Sequence, residues 1–335
     1  MSLDAVKPAQ PAPLPPPSQA ERSALLGLAR TQTVHDKAMA ALACLQRLEA
    51  PAGAPAPVLS FPLTVAAWNL EQCYAVEASA ALLRAQGARL VLLSEVDNGM
   101  ARTGQRHTAA DIAAALSMNY AFGVEFLELG LGSAVNREFC TDDFNRNGFH
   151  GNALLAGSTL LTPALVRLPD QMFWFNDDVE TPRIGSRCAI AGVVMTTQGP
   201  LLAVSVHLES RGDAAHRGAQ MQVLLDAVDA MAGGLPVIIG GDLNTGLADG
   251  GDFEREPLFA DAQARGFNRH GGPLEQMTTR ASRISRTPKR AYKLDWLLTR
   301  GLKVDESRIV PAVAPDGEVL SDHDMVVASI GGFEG

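Results

Sequence analysis

The sequence predicts a mixed α/β fold, and three observations carry that expectation. Short apolar runs rich in β-branched residues alternate along the chain with segments whose apolar residues recur at helical spacing. Two of the runs, Ala189–Met195 and Leu201–Val206, are joined by the turn TTQGP, a hairpin signal. Antiparallel pairing there excludes a purely parallel, doubly wound sheet. In LPVIIGGDLNT, Leu235–Thr245, nothing polar separates Val237, Ile238 and Ile239, as a strand buried on both faces requires.

Composition bounds the rest. The 335 residues suffice for one large domain or two ordinary ones, and 47% hydrophobic with 19% charged residues is a globular balance. A net charge of -9 argues against nonspecific coating of nucleic acid, which depends on clustered Lys and Arg, although a local basic patch stays open. Cys44, Cys73, Cys140 and Cys188 form no CxxC or Cys/His zinc pattern, so reduced or buried thiols are the default reading. No apolar run approaches the roughly 18 to 20 residues that span a bilayer. No basic segment followed by an apolar core opens the chain. With Met1–Leu3 and Glu334–Gly335 open to a vector origin, the compartment is cytoplasmic by default, and secreted or periplasmic if a leader was removed.

Residues 4 to about 19 are rich in Pro and Ala and predict an extended or disordered arm. From Gln19 to about Ala50 the spacing of Leu25, Leu28, Met39, Leu42, Leu45 and Leu48 predicts one or two helices, ended by Pro51. A second Pro/Ala linker, PAGAPAP, sets a boundary near residue 60, so that 1–60 forms an arm with a helical segment and 61–333 the main domain. The main domain opens with strand Leu63–Leu70, helix Ala78–Gln86 and strand Leu90–Leu93. Helix Ala109–Leu116, a long loop over Gly130–His150 and a core segment at Asn152–Leu155 follow. After the hairpin come helix Arg217–Met231, the Leu235–Thr245 stretch, strand Leu294–Leu298 and strand Met325–Ile330.

Polar groups terminate these strands: Asn69, Glu95, His207, Asp242 with Asn244, Asp295, and Asp322 with His323. Singly each has an ordinary role: Asn69 in a turn, Glu95 on the surface, His207 as a satisfied core histidine, Asp295 beside a basic group. Asp242 and Asn244 point the same way if the chain stays extended, which makes a site for a cation or an activated water. Together the groups end apolar strands that converge on one core. Converging carboxylates repel and call for a cation. Oxygen donors without a cysteine or multi-histidine cluster favour Mg2+, or Mn2+, over zinc.

In this order the motifs WNLE, LLSEVD, GNALL, SVHLES, GGDLNT, KLDWLL and SDHD resemble the endonuclease/exonuclease/phosphatase superfamily of metal-dependent phosphoesterases over about residues 61 to 332. The resemblance implies a four-layered α/β/β/α sandwich with two mixed sheets packed face to face. It also implies that Glu95 holds the metal, with Asn69 beside it and Asp322 contributing. By the same resemblance Asp242 orients or deprotonates the attacking water, Asn244 holds nucleophile and phosphate, His323 contacts the scissile phosphate and Asp295 fixes the tautomer of His323. His207 matches a histidine of the deoxyribonuclease and sphingomyelinase branches that acts on the leaving group. Asn152 in GNALL and Arg187 in GSRCAI are the expected substrate-binding residues; Arg187 suits a bidentate phosphate contact. Ser94 departs from the glutamine that often precedes the glutamate.

A nuclease needs a basic groove, and the best candidate is 280–303, with Arg280, Arg283, Arg286, Lys289, Arg290, Lys293, Arg300 and Lys303. The acidic total and only 5% aromatic residues for base stacking favour a small-molecule or lipid-headgroup phosphoester instead. A DNA or RNA nuclease is the alternative, and an inactive binding protein on the same fold the third reading. Met172, Phe173, Trp174 and Phe175 form an aromatic cluster that either packs in the core or touches a bilayer. Protein partners are not readable from the sequence.

Overall fold

Apolar strands buried on both faces need a layer on each side, and the fold supplies both. The structure, a computed structural model, describes residues 6–11, 13–53, 56–176, 181–288 and 290–334; Met1–Leu3, Lys289 and Gly335 lie outside the described residues. The strands are β1 (Val6–Gln10), β2 (Leu48–Glu49), β3 (Leu63–Gln72), β4 (Leu90–Asn98), β5 (Asn119–Glu128), β6 (Phe149–Ala156), β7 (Leu160–Arg167), β8 (Arg183–Gly185), β9 (Cys188–Thr196), β10 (Gly199–His207), β11 (Val237–Asp242), β12 (Asn268–His270), β13 (Asp295–Arg300), β14 (Leu302–Val310) and β15 (Met325–Phe333). The helices are α1 (Gln19–Leu26), α2 (Gln32–Ala41), α3 (Val76–Ala85), α4 (Thr108–Leu116), α5 (Ala134–Arg137), α6 (Phe173–Asn176), α7 (Ala214–Ala232) and α8 (Pro257–Ala264).

The strands form one mixed sheet in the order β12-β13-β11-β10-β9-β7-β1-β2-β5-β6-β4-β3-β15-β14, with β8 on β5. This corrects the expectation of two separate sheets. The junction is the Pro/Ala arm: Val6–Pro8 pair antiparallel with β7, and Ala9–Gln10 pair parallel with β2. The segment is extended, as its composition favours, and Pro8 sits where the strand changes partners, a position that tolerates its missing N–H. The expected hairpin is present as β9 and β10.

The two arms of the sheet face each other. Leu90 and Leu92 of β4, Leu201 and Ala203 of β10 and Ile238 of β11 meet in one shared core. The alternate residues point outward: Val91 and Leu93 pack with α3 and α4, while Val204, Val237 and Ile239 pack with Met221, Leu224 and Val228 of α7. Burial of both faces explains why the runs are continuously apolar. Gly240 marks the close approach, since a Cβ there would lie 2.4 Å from Leu297 and 2.7 Å from Leu92.

The helical segment after the arm divides into α1 and α2, but Leu48 belongs to strand β2. It is clamped to the main sheet by buried Arg167, whose guanidinium donates to the Leu45 carbonyl at 2.9 Å. Strands β5, β7 and β14 carried no distinct sequence signal. Among the described residues no helix is long and apolar enough to cross a membrane.

Candidate active site

The site forms where two parallel strand pairs end. Strands β3 and β4 deliver Asn69 and Glu95; β10 and β11 deliver His207 and Asp242 as register partners. Asp295, the first residue of antiparallel β13, is the register partner of Asp242 on its other side. His323 arrives from the loop before β15 and is tied down by its carbonyl, which accepts from Trp68 Nε1 at 2.7 Å. The sheet does the converging.

Asp242 is the hub. Its Oδ2 lies 3.5 Å from His207 Nε2 and 3.7 Å from His323 Nε2, and accepts from Asn69 Nδ2 at 3.0 Å. Its Oδ1 accepts the Asn244 N–H at 2.9 Å, and the Asn244 amide donates to the Leu208 carbonyl at 2.9 Å. Asn69 Nδ2 also donates to Glu95 Oε1 at 3.1 Å, so one amide bridges two carboxylates. On the far side, His323 Nδ1 is 2.8 Å from Asp295 Oδ2. Asp322 Oδ1 lies 3.9 Å from His323 Nε2, and its Oδ2 accepts from the Ser285 hydroxyl at 2.6 Å.

The backbone is bent to achieve this. Glu95 has φ 54°, in the left-handed region, beside an irregularity in the pairing of β4 with β6 between Leu93 and Val96. A bulge of this kind re-aims one side chain, and strain of this kind gathers at functional positions. Asn244 has φ 51°. Ser94, where glutamine was expected, is buried with no hydrogen-bond partner for its hydroxyl.

Electrostatics separates the groups. Burial works to raise the Glu95 carboxyl, but His207, His150, the Asn69 amide and His323 hold it down at about 2. Burial and the nearby Asp242 push Asp295 up to about 6 against the pull of His323. His323 is raised well above its ordinary value although burial opposes this, because Asp295, Asp242 and Asp322 all face it. We place the shared proton on the imidazole, where three carboxylates stabilise it. Asp322 is raised by burial and by Glu95, and Glu71 is pushed to about 7 by burial and then by Asp322. Crowding of this kind among carboxylates is relieved by a cation. Asp242, Asp295 and His323 present ligand atoms within 4.8 Å of one another and form a candidate metal group.

Residues 66–323 match the family model described as Endonuclease/Exonuclease/phosphatase family. The chain belongs to this family. Solved endonuclease/exonuclease/phosphatase structures share its fold: a Beutenbergia cavernae member is 18% identical, with a TM-score of 0.58 over 82% of this chain and 72% of that one. The catalytic domain of human Nocturnin, with a bound sulfate anion, is 19% identical, with a TM-score of 0.55 over 80% of this chain and 92% of that one. Truncated Caenorhabditis elegans TDP2 is 17% identical, with a TM-score of 0.52 over 80% and 97%. No curated protein matches the chain.

Within this family frame the expected residues converge, with two qualifications of place. Arg187 is buried among its own partners: Glu125 at 3.3 Å, His207 Nδ1 at 2.9 Å, Ser210 at 3.2 Å and Glu209 at 3.5 Å. Asn152 donates to Glu125 at 3.1 Å and to the Cys188 carbonyl at 2.8 Å, while its Oδ1 is buried without a partner. The basic stretch is largely answered by acids: Arg280 meets Asp324 at 2.9 Å, Arg283 meets Glu318, Arg286 meets Glu138 and Arg300 meets Asp229 at 2.7 Å. Lys293 is buried on three carbonyls. In the aromatic cluster Phe175 is buried and Trp174 packs against Phe126, its Nε1 donating to Glu209.

Sequence reasoning missed Glu71, Glu125 and His150. Glu71 holds the 282–285 loop, accepting from the Ser282 hydroxyl at 2.6 Å and the Ser285 N–H at 3.1 Å. Its place at the end of WNLE was the available signal. Glu125 had none, because β5 itself was not legible. It lies wholly buried 3.3 Å from His207 Nδ1. Burial opposes its ionisation, but His207 and Arg187 hold it at about 2, below the ordinary 4.5. A depressed carboxylate contributes stability that is complete above the unfolded value and lost as pH falls toward the folded one. Glu125→Gln is therefore expected to cost about 3 kcal/mol at pH 7, leaving Arg187 less well answered, and to flatten the acid loss of stability below pH 4.5. Urea denaturation at pH 7 and at lower pH checks this; parallel losses in both proteins would remove Glu125 from the account.

Proposed function

We propose that the chain is a Mg2+-dependent phosphoester hydrolase, a phosphodiesterase or phosphatase, that directs an activated water onto a small-molecule or lipid-headgroup phosphoester. The observation that carries this is the line Asp295, His323, Asp242 facing the Asn69-bridged Glu95. A phosphoester needs a positioned water, a donor for the phosphoryl oxygens and neutralisation of developing charge. Asp242 orients or deprotonates the water, with Asn244 and Asn69 fixing the carboxylate. His323, kept protonated by its carboxylates, donates from Nε2 to a phosphoryl oxygen, and Asp295 holds its Nδ1–H. His207, gripped at Nδ1 by Glu125 and Arg187, turns Nε2 toward Asp242 and Glu95, where it serves the leaving group.

The donor set fits a hard divalent ion. Glu95 is ionised, Asp322 and Glu71 crowd it, and the oxygens available suit Mg2+ or Mn2+. Glu95 and Asp322, with Asn69 alongside, would hold it; when bound it neutralises phosphoryl charge. Pairing of Arg280, Arg283, Arg286 and Arg300 with acids favours a small substrate over a polynucleotide.

Hydrolysis of bis-p-nitrophenyl phosphate is expected to vanish in EDTA and return with Mg2+ or Mn2+. A panel of supercoiled DNA, single-stranded RNA, sphingomyelin and inositol phosphates then ranks substrates. Preferred cleavage of DNA or RNA would establish the nuclease, and inactivity on every ester the binding protein. Asp295→Asn is expected to lower the pKa of His323, since a carboxylate that raises it is gone. Activity that depends on the imidazolium is present below that pKa and lost as pH rises through it, so the alkaline limb of the pH-rate profile moves to lower pH. An unmoved limb would take His323 out of that role.

A further inference from the structure

Glu95 also lines a second space: a cavity of about 170 Å³ whose walls include Gln72, Arg102, His150, Trp174 and Arg183. Asp242, Asp295 and His323 do not line it. Two of its walls are built with spare hydrogen-bonding groups. His150 Nδ1 sits 2.9 Å from Asp97 Oδ1, and Asp97 is gripped by Arg102 at 2.8 and 2.9 Å. With Nδ1 held against Asp97, the second ring nitrogen, Nε2, is left for the cavity. The carbonyl oxygen of Gln72 accepts from the Tyr74 hydroxyl and from Asn136 Nδ2, which leaves the amide N–H groups for the cavity. Three consecutive residues, Glu71, Gln72 and Cys73, hold positive φ of 44°, 73° and 62° to put that amide there. Non-glycine backbone in this region is costly and gathers where a side chain must be aimed.

The charge around the cavity selects the ligand. Arg102 faces both Asp97 and Glu128, Arg187 faces both Glu125 and Glu209, and Arg183 stacks on Trp174 with Glu128 at 3.9 Å. A second phosphate would need cations not already answered in this way. Donors and acceptors set side by side in a charge-balanced wall suit hydroxyl groups instead. At about 30 Å³ per water the space holds roughly six waters' worth of ligand, the scale of a short polyol.

We propose that this cavity receives the hydroxyl-bearing alcohol portion of the phosphoester, with the Gln72 amide donating to one hydroxyl and His150 Nε2 hydrogen-bonded to another. The proposal rests on the phosphoester-hydrolase reading above. Glycerol 3-phosphate and propyl phosphate share a three-carbon chain and differ in hydroxyls. Titrated calorimetrically into the full chain with Mg2+, glycerol 3-phosphate is expected to bind about tenfold tighter, the worth of one or two net hydrogen bonds. Gln72→Met and His150→Phe are each expected to shrink that ratio, because each deletes one partner. Equal affinities in a wild-type protein that turns over bis-p-nitrophenyl phosphate overturn the pocket alone. No binding of either ester and no turnover overturn the pocket and the hydrolase reading together.

Discussion

Asp242→Asn is expected to lower kcat on bis-p-nitrophenyl phosphate by about 10³ to 10⁴, the upper range for loss of a positioned general base. The carboxylate faces two imidazoles at 3.5 and 3.7 Å and accepts from Asn69 and from the Asn244 N–H. Asparagine keeps the shape and, through its carbonyl, the bond from Asn244. Its amide nitrogen then meets the Asn69 amide donor to donor, and nothing remains to take the proton of a water. One negative charge also leaves a crowd that includes Asp295, Asp322 and Glu95, so the variant is expected to melt no lower than the wild type. Activity and stability should move apart. A variant within tenfold of wild-type kcat would show that the water is activated elsewhere, and a lower Tm would show that Asp242 is structural.

The sequence made the strand ends legible because a fully buried strand has to be apolar and its first polar residue stands out. Val237–Ile239 before Asp242, and Leu90–Leu93 before Glu95, are of this kind. Period-two alternation onto two different cores follows from the same runs. Strand β14 was hidden because only Leu302 and Ile309 are buried and Lys303, Asp305, Glu306 and Arg308 stand between them, and β5 because Asn119, Gly123 and Glu125 interrupt its apolar residues. With β5 went Glu125, a carboxylate whose role exists only through His207 and Arg187 across the sheet. The arm was legible as extended but not as a strand, since pairing with β7 and β2 is a tertiary fact that Pro and Ala do not encode. Arg187 was read as free to grip phosphate because a sequence shows the cation and not the four groups that surround it.

Glu95→Gln carries the largest consequence for the metal. The glutamine oxygen can still accept from Asn69, so the local geometry is kept while the charge is lost. We expect kcat to fall by about 10³, in the range found when a single electrostatic stabiliser of developing charge is removed. We also expect loss of the thermal stabilisation that Mg2+ gives the wild type, about 2.7 kcal/mol when the ion stands at a hundred times its Kd. This second readout discriminates between the two candidate positions for the ion. Glu95, bridged to Asp242 through the Asn69 amide, marks one position, while Asp242, Asp295 and His323 form their own group within 4.8 Å. Within that trio His323, protonated in the reading above and hydrogen-bonded through Nδ1 to Asp295 at 2.8 Å, offers no free ring lone pair to an ion. Two ligand atoms that share a proton are not both free to coordinate, which favours the Glu95 side. If the Mg2+-dependent rise in Tm survives Glu95→Gln and disappears in Asp295→Asn, the ion belongs to the trio. Asp242 would then be an ion ligand, and the loss of activity in Asp242→Asn would report lost metal rather than a lost base.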